Sequence, residues 1–263
     1  MKTLWIYVEQ KIQNIYSEIR QAKKTNKKLL AILLDPDKVF LQNIENLIQK
    51  INESPATHVF IGGSLVLNNT IDEIIIRLKK QITLPIVLFP GNPSQISIHA
   101  DGILFLSLIS GRNSDFLIEH QVKAAPVLKK SKLEIISTGY ILIESGNPTA
   151  VASVSKTIPL PRHNSQIAVD TAIAGEFLGN KLIYLEAGSG AELPVPLETI
   201  SLVSKNLEIP LLVGGGIKSI QEIQDAYIAG ADLVVIGTAF ENDINFFTNP
   251  NLISNDWFFF RRL

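Results

Sequence analysis

A modified TIM (β/α)8 barrel, an α/β fold formed as one domain over residues 1–263, is predicted by three features. The chain carries eight short apolar runs, amphipathic stretches alternate with most of them, and 263 residues is close to the size of one such barrel. The runs are Leu29–Leu34, His58–Ile61, Ile86–Phe89, Ile103–Ser107, Glu134–Ile143, Leu182–Glu186, Leu211–Val213 and Leu233–Ile236. They are continuous rather than alternating, as expected of parallel strands covered on both faces. Eight alternations in this length favour a barrel over an open doubly wound sheet.

Taken in order, the chain opens with an extra helix, roughly Leu4–Lys23, before the first strand. Helical periodicity then covers Asn43–Ile51, Thr70–Lys80 with Thr70 as N-cap, Ser114–Leu128, Ser165–Leu178, Leu197–Asn206 and Ser219–Ala229. One connection breaks the rhythm. Between Phe89 and Ile103 stand Pro90, Gly91, Pro93 and Gly102, with too little room for a full barrel helix. A missing helix would open a gap in the outer ring where a long apolar ligand could lie. On these residues alone the plainer reading, a short loop in a slightly degenerate barrel, is favoured.

Composition narrows the function classes. At 46% hydrophobic and 19% charged residues the chain can bury a large core. A net charge of −1, from 24 Lys and Arg against 25 Asp and Glu, leaves no basic field to hold nucleic acid. Without cysteine there are no disulfides, thiolate metal sites or thiol nucleophiles. Glu9, Lys11, Glu18 and Arg20 interrupt the N-terminal pattern, so it does not read as a signal peptide. No apolar run approaches the roughly 20 residues of a membrane helix. The expectation is a cytoplasmic enzyme.

The chemistry should lie at the C-terminal ends of the strands. Gly214-Gly215-Gly216 and Gly237-Thr238 close the last two strands, and glycines between a strand and a helix leave bare N–H groups that hold phosphate. A phosphorylated substrate is therefore expected. Asp35-Pro36-Asp37-Lys38 puts two carboxylates and an ammonium after the first strand. Asp35 and Asp37 suit Mg²⁺, with Ser64 of Gly62-Gly63-Ser64 as a further oxygen; a capped Asp-Pro turn and a serine-capped Gly-Gly turn are the purely structural readings. Tyr184 and Glu186 share one face of the sixth strand, directed inward, and Gly188-Ser189-Gly190 follows. An inward glutamate is costly unless paired, which favours a role in proton transfer or in binding a hydroxyl.

Other features read as structural. His58, His99, His120 and His163 lack metal-ligand spacing. Pro159–Arg162 marks a turn. Trp257–Leu263 combines aromatics with Arg261 and Arg262, and suits packing on the first helix or a peripheral membrane contact.

Together Leu34–Lys38, Tyr184–Gly190, Val213–Ile217 and Ile236–Thr238 resemble the motifs of geranylgeranylglyceryl phosphate synthases and their bacterial relatives. Leu104–Asn113 and Thr138–Ile141 also look like this family, and the similarity runs from about Ala31 to Phe240 in the expected order.

The resemblance implies a Mg²⁺-dependent prenyltransferase of ether-lipid biosynthesis. Its members join a prenyl group from an allylic diphosphate to the C3 hydroxyl of sn-glycerol 1-phosphate, and replace one barrel helix by an extended segment beside the prenyl groove. By residue, it implies Asp35 and Ser64 as magnesium positions. Glycerol phosphate contacts fall to Tyr184, Leu185, Glu186, Ala187, Gly188, Ser189 and Gly190, and phosphate contacts to Gly215, Gly216, Gly237 and Thr238. Catalysis is expected from Glu186 with Tyr184, while Lys38 and Arg112 are candidates for gripping diphosphate. A homo-oligomer is implied too. Geranylgeranyl is the expected chain; a heptaprenyl chain, a barrel acting on a phosphosugar and a non-catalytic lipid-binding barrel stay open.

Overall fold

The computed structural model describes residues 14–64, 66 and 70–248. Eight parallel strands close into a barrel in sequence order: β1 (Leu29–Leu34), β2 (His58–Ile61), β3 (Ile86–Leu88), β4 (Gly102–Leu108), β5 (Glu134–Leu142), β6 (Leu182–Glu186), β7 (Leu211–Gly214) and β8 (Leu233–Ile236). Closure comes from β8 pairing with β1, where Ala31 stands opposite Val235. All eight predicted runs are strands, with ends shifted by at most a residue.

The continuous apolar runs serve two separate cores. Leu29, Ala31, Tyr184, Leu212, Leu233 and Val235 point into the barrel, whereas Leu30, Ile32, Leu185, Val213 and Val234 point to the helices. Both faces are dry, so the strands are apolar on both sides and the alternation disappears from the sequence, and the mid-strand hydroxyls of Ser107, Ser137 and Thr138 are each hydrogen-bonded.

The helices are α1 (Ile15–Lys24), α2 (Ile44–Glu53), α3 (Ile71–Leu78), α4 (His120–Leu128), α5 (Ala150–Ser155), α6 (Ser165–Phe177), α7 (Leu197–Lys205), α8 (Ile220–Ala229) and α9 (Thr238–Asn242). Apolar side chains at helical spacing, such as Ile44, Ile48 and Ile51 on α2, bury one face against the barrel. Short α5 and α9 were not expected, because five or six residues are too few to show a helical period.

Two expectations need correction. Ser114–Leu128 is not one regular helix: a π turn over Asp115–Glu119 precedes α4 and carries Gln121 inward, where its amide nitrogen bonds the Leu106 and Phe116 carbonyls. Thr70 precedes α3 with near-helical backbone angles, so its buried hydroxyl caps nothing. Of the N-terminal helix, Leu4–Gln13 lies outside the described residues, as does Trp257–Leu263.

The β3–β4 connection contains no α-helix, only the 3-10 turn Pro93–Gln95. Pro90 and Pro93 remove two backbone donors from a segment already short, so a regular turn cannot propagate. The outer ring is open at that point.

At the opposite end, α1 closes the barrel floor. Ile15, Ile19 and Ala22 join the inner core, and a Cβ on Gly102 would come 2.9 Å from Ile15 Cδ1. Glu134, opening β5, holds the helix start: its carboxylate accepts the Ile15 N–H at 2.5 Å and the Tyr16 N–H at 3.0 Å. A negative charge there also offsets the positive end of the helix dipole. Glu134→Ala should cost about 1–2 kcal/mol of stability, read as a lowered melting temperature in calorimetry. The C-terminal ends of the strands, on the far side of the barrel, should be unaffected.

Candidate active site

A cavity of about 530 Å³ opens at the C-terminal ends of the strands. Its wall combines Asp35 after β1, Ser64 after β2, Tyr184 and Glu186 of β6, Gly188–Gly190, Gly215 and Gly216 after β7, and Gly237 and Thr238 after β8. Phe89, Tyr140 and Val151 stand between this cavity and a narrow apolar slot. Pro90, Pro93, Ile96, Leu104, Phe105 and Phe116 are among the side chains forming that slot, and it occupies the helix-free gap between β3 and β4. A polar chamber and an apolar slot thus share one wall.

Glu186 is the central charge. It is 5% exposed, and the backbone is shaped around it. Gly188, at φ +104°, donates its N–H to Glu186 Oε1 at 2.7 Å. Gly215, at φ +80°, leaves room for the carboxylate; a Cβ there would collide with Oε1. Burial pushes the Glu186 carboxyl up to about 7, against the pull of the Gly188 N–H.

Tyr184, Tyr140 and Phe89 pack ring against ring, with centroids 5.4–5.9 Å apart. Burial, reinforced by the charge of Glu186, raises both tyrosine hydroxyls far above their ordinary range, so both remain proton donors. The Tyr184 hydroxyl faces the same point above Gly214 as Glu186 Oε2. It approaches the carboxylate closely enough to oppose the carboxyl shift without meeting hydrogen-bond geometry, and it is left without a partner. A buried hydroxyl in that state costs about 1–3 kcal/mol, which a ligand oxygen can recover.

A family model described as the PcrB family matches residues 19–250. The chain belongs to the PcrB family. A relative from Flavobacterium johnsoniae, geranylgeranylglyceryl phosphate synthase, is 65% identical over 241 residues, 91% of this chain and 99% of that protein. Among solved structures, (S)-3-O-geranylgeranylglyceryl phosphate synthase from Thermoplasma acidophilum, in complex with its substrate sn-glycerol-1-phosphate, superposes with a TM-score of 0.84. It is 31% identical, with 89% of this chain and 94% of that one covered. The wild-type GGGPS of Thermoplasma volcanium gives a TM-score of 0.81 at 32% identity, covering 88% and 92%.

In this PcrB-family chain the predicted residues are not all placed alike. Leu185 and Ala187 turn into the core between strands and helices, so only their backbone can meet a ligand. Arg112 turns back on its own loop, donating to the Gly111 carbonyl at 2.6 Å and away from the cavity. The glycines after β7 do not open α8 directly. That helix starts at Ile220, four residues beyond Gly216, and a capping box fixes its start, Ser219 accepting the Glu222 N–H and Glu222 the Ser219 N–H, so the glycines lie in the loop before the helix rather than in its first turn. After β8, by contrast, α9 begins at once behind Gly237, which brings no side-chain acceptor to its first turn.

On the other side, Asp35 caps the 3-10 turn Pro36–Lys38, accepting the Asp37 N–H at 3.1 Å. Half-burial raises its carboxyl above the usual range, while the Asp37 N–H and the Lys38 charge act against that shift. Ser64 is held near it indirectly. Gln95, 2% exposed, donates to the Gly63 carbonyl at 2.9 Å and accepts the Gly91 N–H at 3.1 Å, tying the β2 and β3 loops together.

Sequence reasoning missed Gln95, Glu241, Asn147 and Lys218. All but Gln95 line the chamber. Lys218 Nζ bonds the Glu192 carbonyl at 2.7 Å, and Asn147 links the β5 and β6 loops through the Glu192 N–H. Lys218 follows the glycine segment by two residues and was the readable one. Among the described residues the histidines form no metal cluster; His58 is buried with an unpartnered Nε2, and burial lowers its pKa to about 4.

The raised carboxyl of Glu186 makes stability depend on pH. Its contribution is fully present below an unfolded value near 4.5 and is lost as pH rises through about 7, because the buried group must then ionise. Glu186→Gln should match the parent at pH 4.5 and exceed it by about 2–3 kcal/mol at pH 8.5. Denaturant melts at both values would check this.

Proposed function

We propose that this chain transfers a geranylgeranyl group from its diphosphate to the C3 hydroxyl of sn-glycerol 1-phosphate. The observation that carries the reading is the union of a glycine-edged chamber holding a buried carboxylate with an apolar slot in the helix-free gap. A phosphorylated polyol fits the first and a prenyl chain the second. A phosphosugar barrel would leave the slot without a purpose. The names and substrate of the relatives support the same reading, geranylgeranyl over heptaprenyl included.

In this mechanism the glycerol phosphate lies over Gly215, Gly216, Gly237 and Thr238, whose backbone N–H groups receive the phosphate. Lys218 adds a positive charge at the same rim. The Tyr184 hydroxyl, lacking a protein partner, and the Glu186 carboxylate orient the glycerol hydroxyls. As the C3 oxygen bonds to C1 of the prenyl group, the C1–O bond to diphosphate breaks, and Glu186 takes the hydroxyl proton. Phe89 and Tyr140 keep water from the reacting carbon.

Asp35 and Ser64 would hold Mg²⁺. Their oxygens are hard donors, and a single half-buried carboxylate leaves coordination positions for substrate oxygens, as that ion prefers. When bound, the ion neutralises charge developing on the departing diphosphate.

Incubation of the protein with Mg²⁺, radiolabelled sn-glycerol 1-phosphate and prenyl diphosphates of graded length should yield a labelled ether lipid, most from geranylgeranyl. No product at any length would overturn the assignment. Glu186→Gln should lower kcat/KM by about 10²–10⁴ and abolish the rise in rate that the parent shows as pH passes through about 7. Asp35→Asn should raise the Mg²⁺ concentration needed for half-maximal rate.

A further inference from the structure

Glu241 sits on α9, one turn beyond Gly237, with its side chain 11% exposed on the chamber wall. Its two oxygens have different partners. Oε1 accepts the backbone N–H of Asp35 at 2.9 Å, and Oε2 accepts Lys38 Nζ at 2.7 Å. The same ammonium lies 3.9 Å from Asp35 Oδ2, so one cation bridges the carboxylates that follow the first and last strands.

The two bonds also differ in what they require. Any oxygen can accept the Asp35 N–H, whereas the hold on Lys38 depends on charge. Lys38 is 47% exposed on a flexible four-carbon stem, so its pairing is exchanged at small cost. A diphosphate beside Asp35 carries more charge and more acceptor oxygens than one carboxylate does.

We propose that Glu241 is a positioning residue that parks the Lys38 ammonium at the chamber rim and yields it to the diphosphate when that group arrives. This rests on reading the Asp35 side of the chamber as the diphosphate end. Parking keeps Asp35 and Glu241 from repelling one another in the free protein and keeps the lysine within reach of the incoming anion.

The test is calorimetric titration of the full-length protein with inorganic pyrophosphate in Mg²⁺. Lys38→Met should weaken binding by about two- to fivefold, and Glu241→Gln, which still accepts the Asp35 N–H, should tighten it by a similar factor. In a Lys38→Met background Glu241→Gln should change nothing. Lys38→Arg should keep near-parental affinity. If Glu241→Gln does not fold, Glu241→Asn, equally uncharged, should give the same tightening. Equal tightening with and without Lys38 would reduce Glu241 to a general negative charge and overturn the proposal, as would weakening by Glu241→Gln. Failure of the parent protein to bind pyrophosphate would instead remove the diphosphate reading itself.

Discussion

A carboxylate with almost no water around it shapes the upper half of this barrel. Glu186 ends a strand that is apolar apart from the Tyr184 hydroxyl, and an isolated charge there would be strongly unfavourable. The surrounding backbone answers that constraint. Gly188 supplies an N–H, Gly215 withdraws a side chain, and Gly214 leaves space that Tyr184 and Glu186 share. What remains unsatisfied is the Tyr184 hydroxyl, beside the carboxylate. A ligand oxygen can complete it, so the same economy that makes the free site costly makes it receptive.

The second constraint is the opening in the helix ring. A helix between β3 and β4 would cover Ile103 and Phe105, which face outward, and the 3-10 turn leaves them to form the slot. Removing a helix also removes the packing that normally fixes the loops above it. Gln95 replaces that packing with hydrogen bonds, reaching from the turn to the Gly63 carbonyl. The device that opens the slot therefore also steadies Ser64.

How far this was legible depends on how local each determinant is. Strands were readable because burial on both faces gives unbroken apolar runs, and the missing helix because Pro90 and Pro93 declare it. Glu186 stood out as a charge in an apolar strand. Glu241 and Gln95 did not, since each acts through partners 206 and 32 residues away. The capping box at Ser219 and Glu222 carried a readable S-x-x-E spacing, which sets the start of α8 beyond the glycine segment rather than at it. Leu185 and Ala187 show the same limit: a motif names consecutive residues, whereas a strand turns alternate ones away.

Closure of the sheet by β8 against β1 has a temporal side. Asp35 and Glu241 meet because the first and last strands are neighbours, though 206 residues separate them in the chain. At translation rates of about 5–20 residues per second, the earlier half of that contact waits roughly 10–40 s for its counterpart. Until then β1 has a bare edge, and the rim that meets there has only one wall. A nascent chain of this protein therefore exposes a half-built mouth before it owns a whole one, and the last strand to emerge both seals the sheet and completes the chamber.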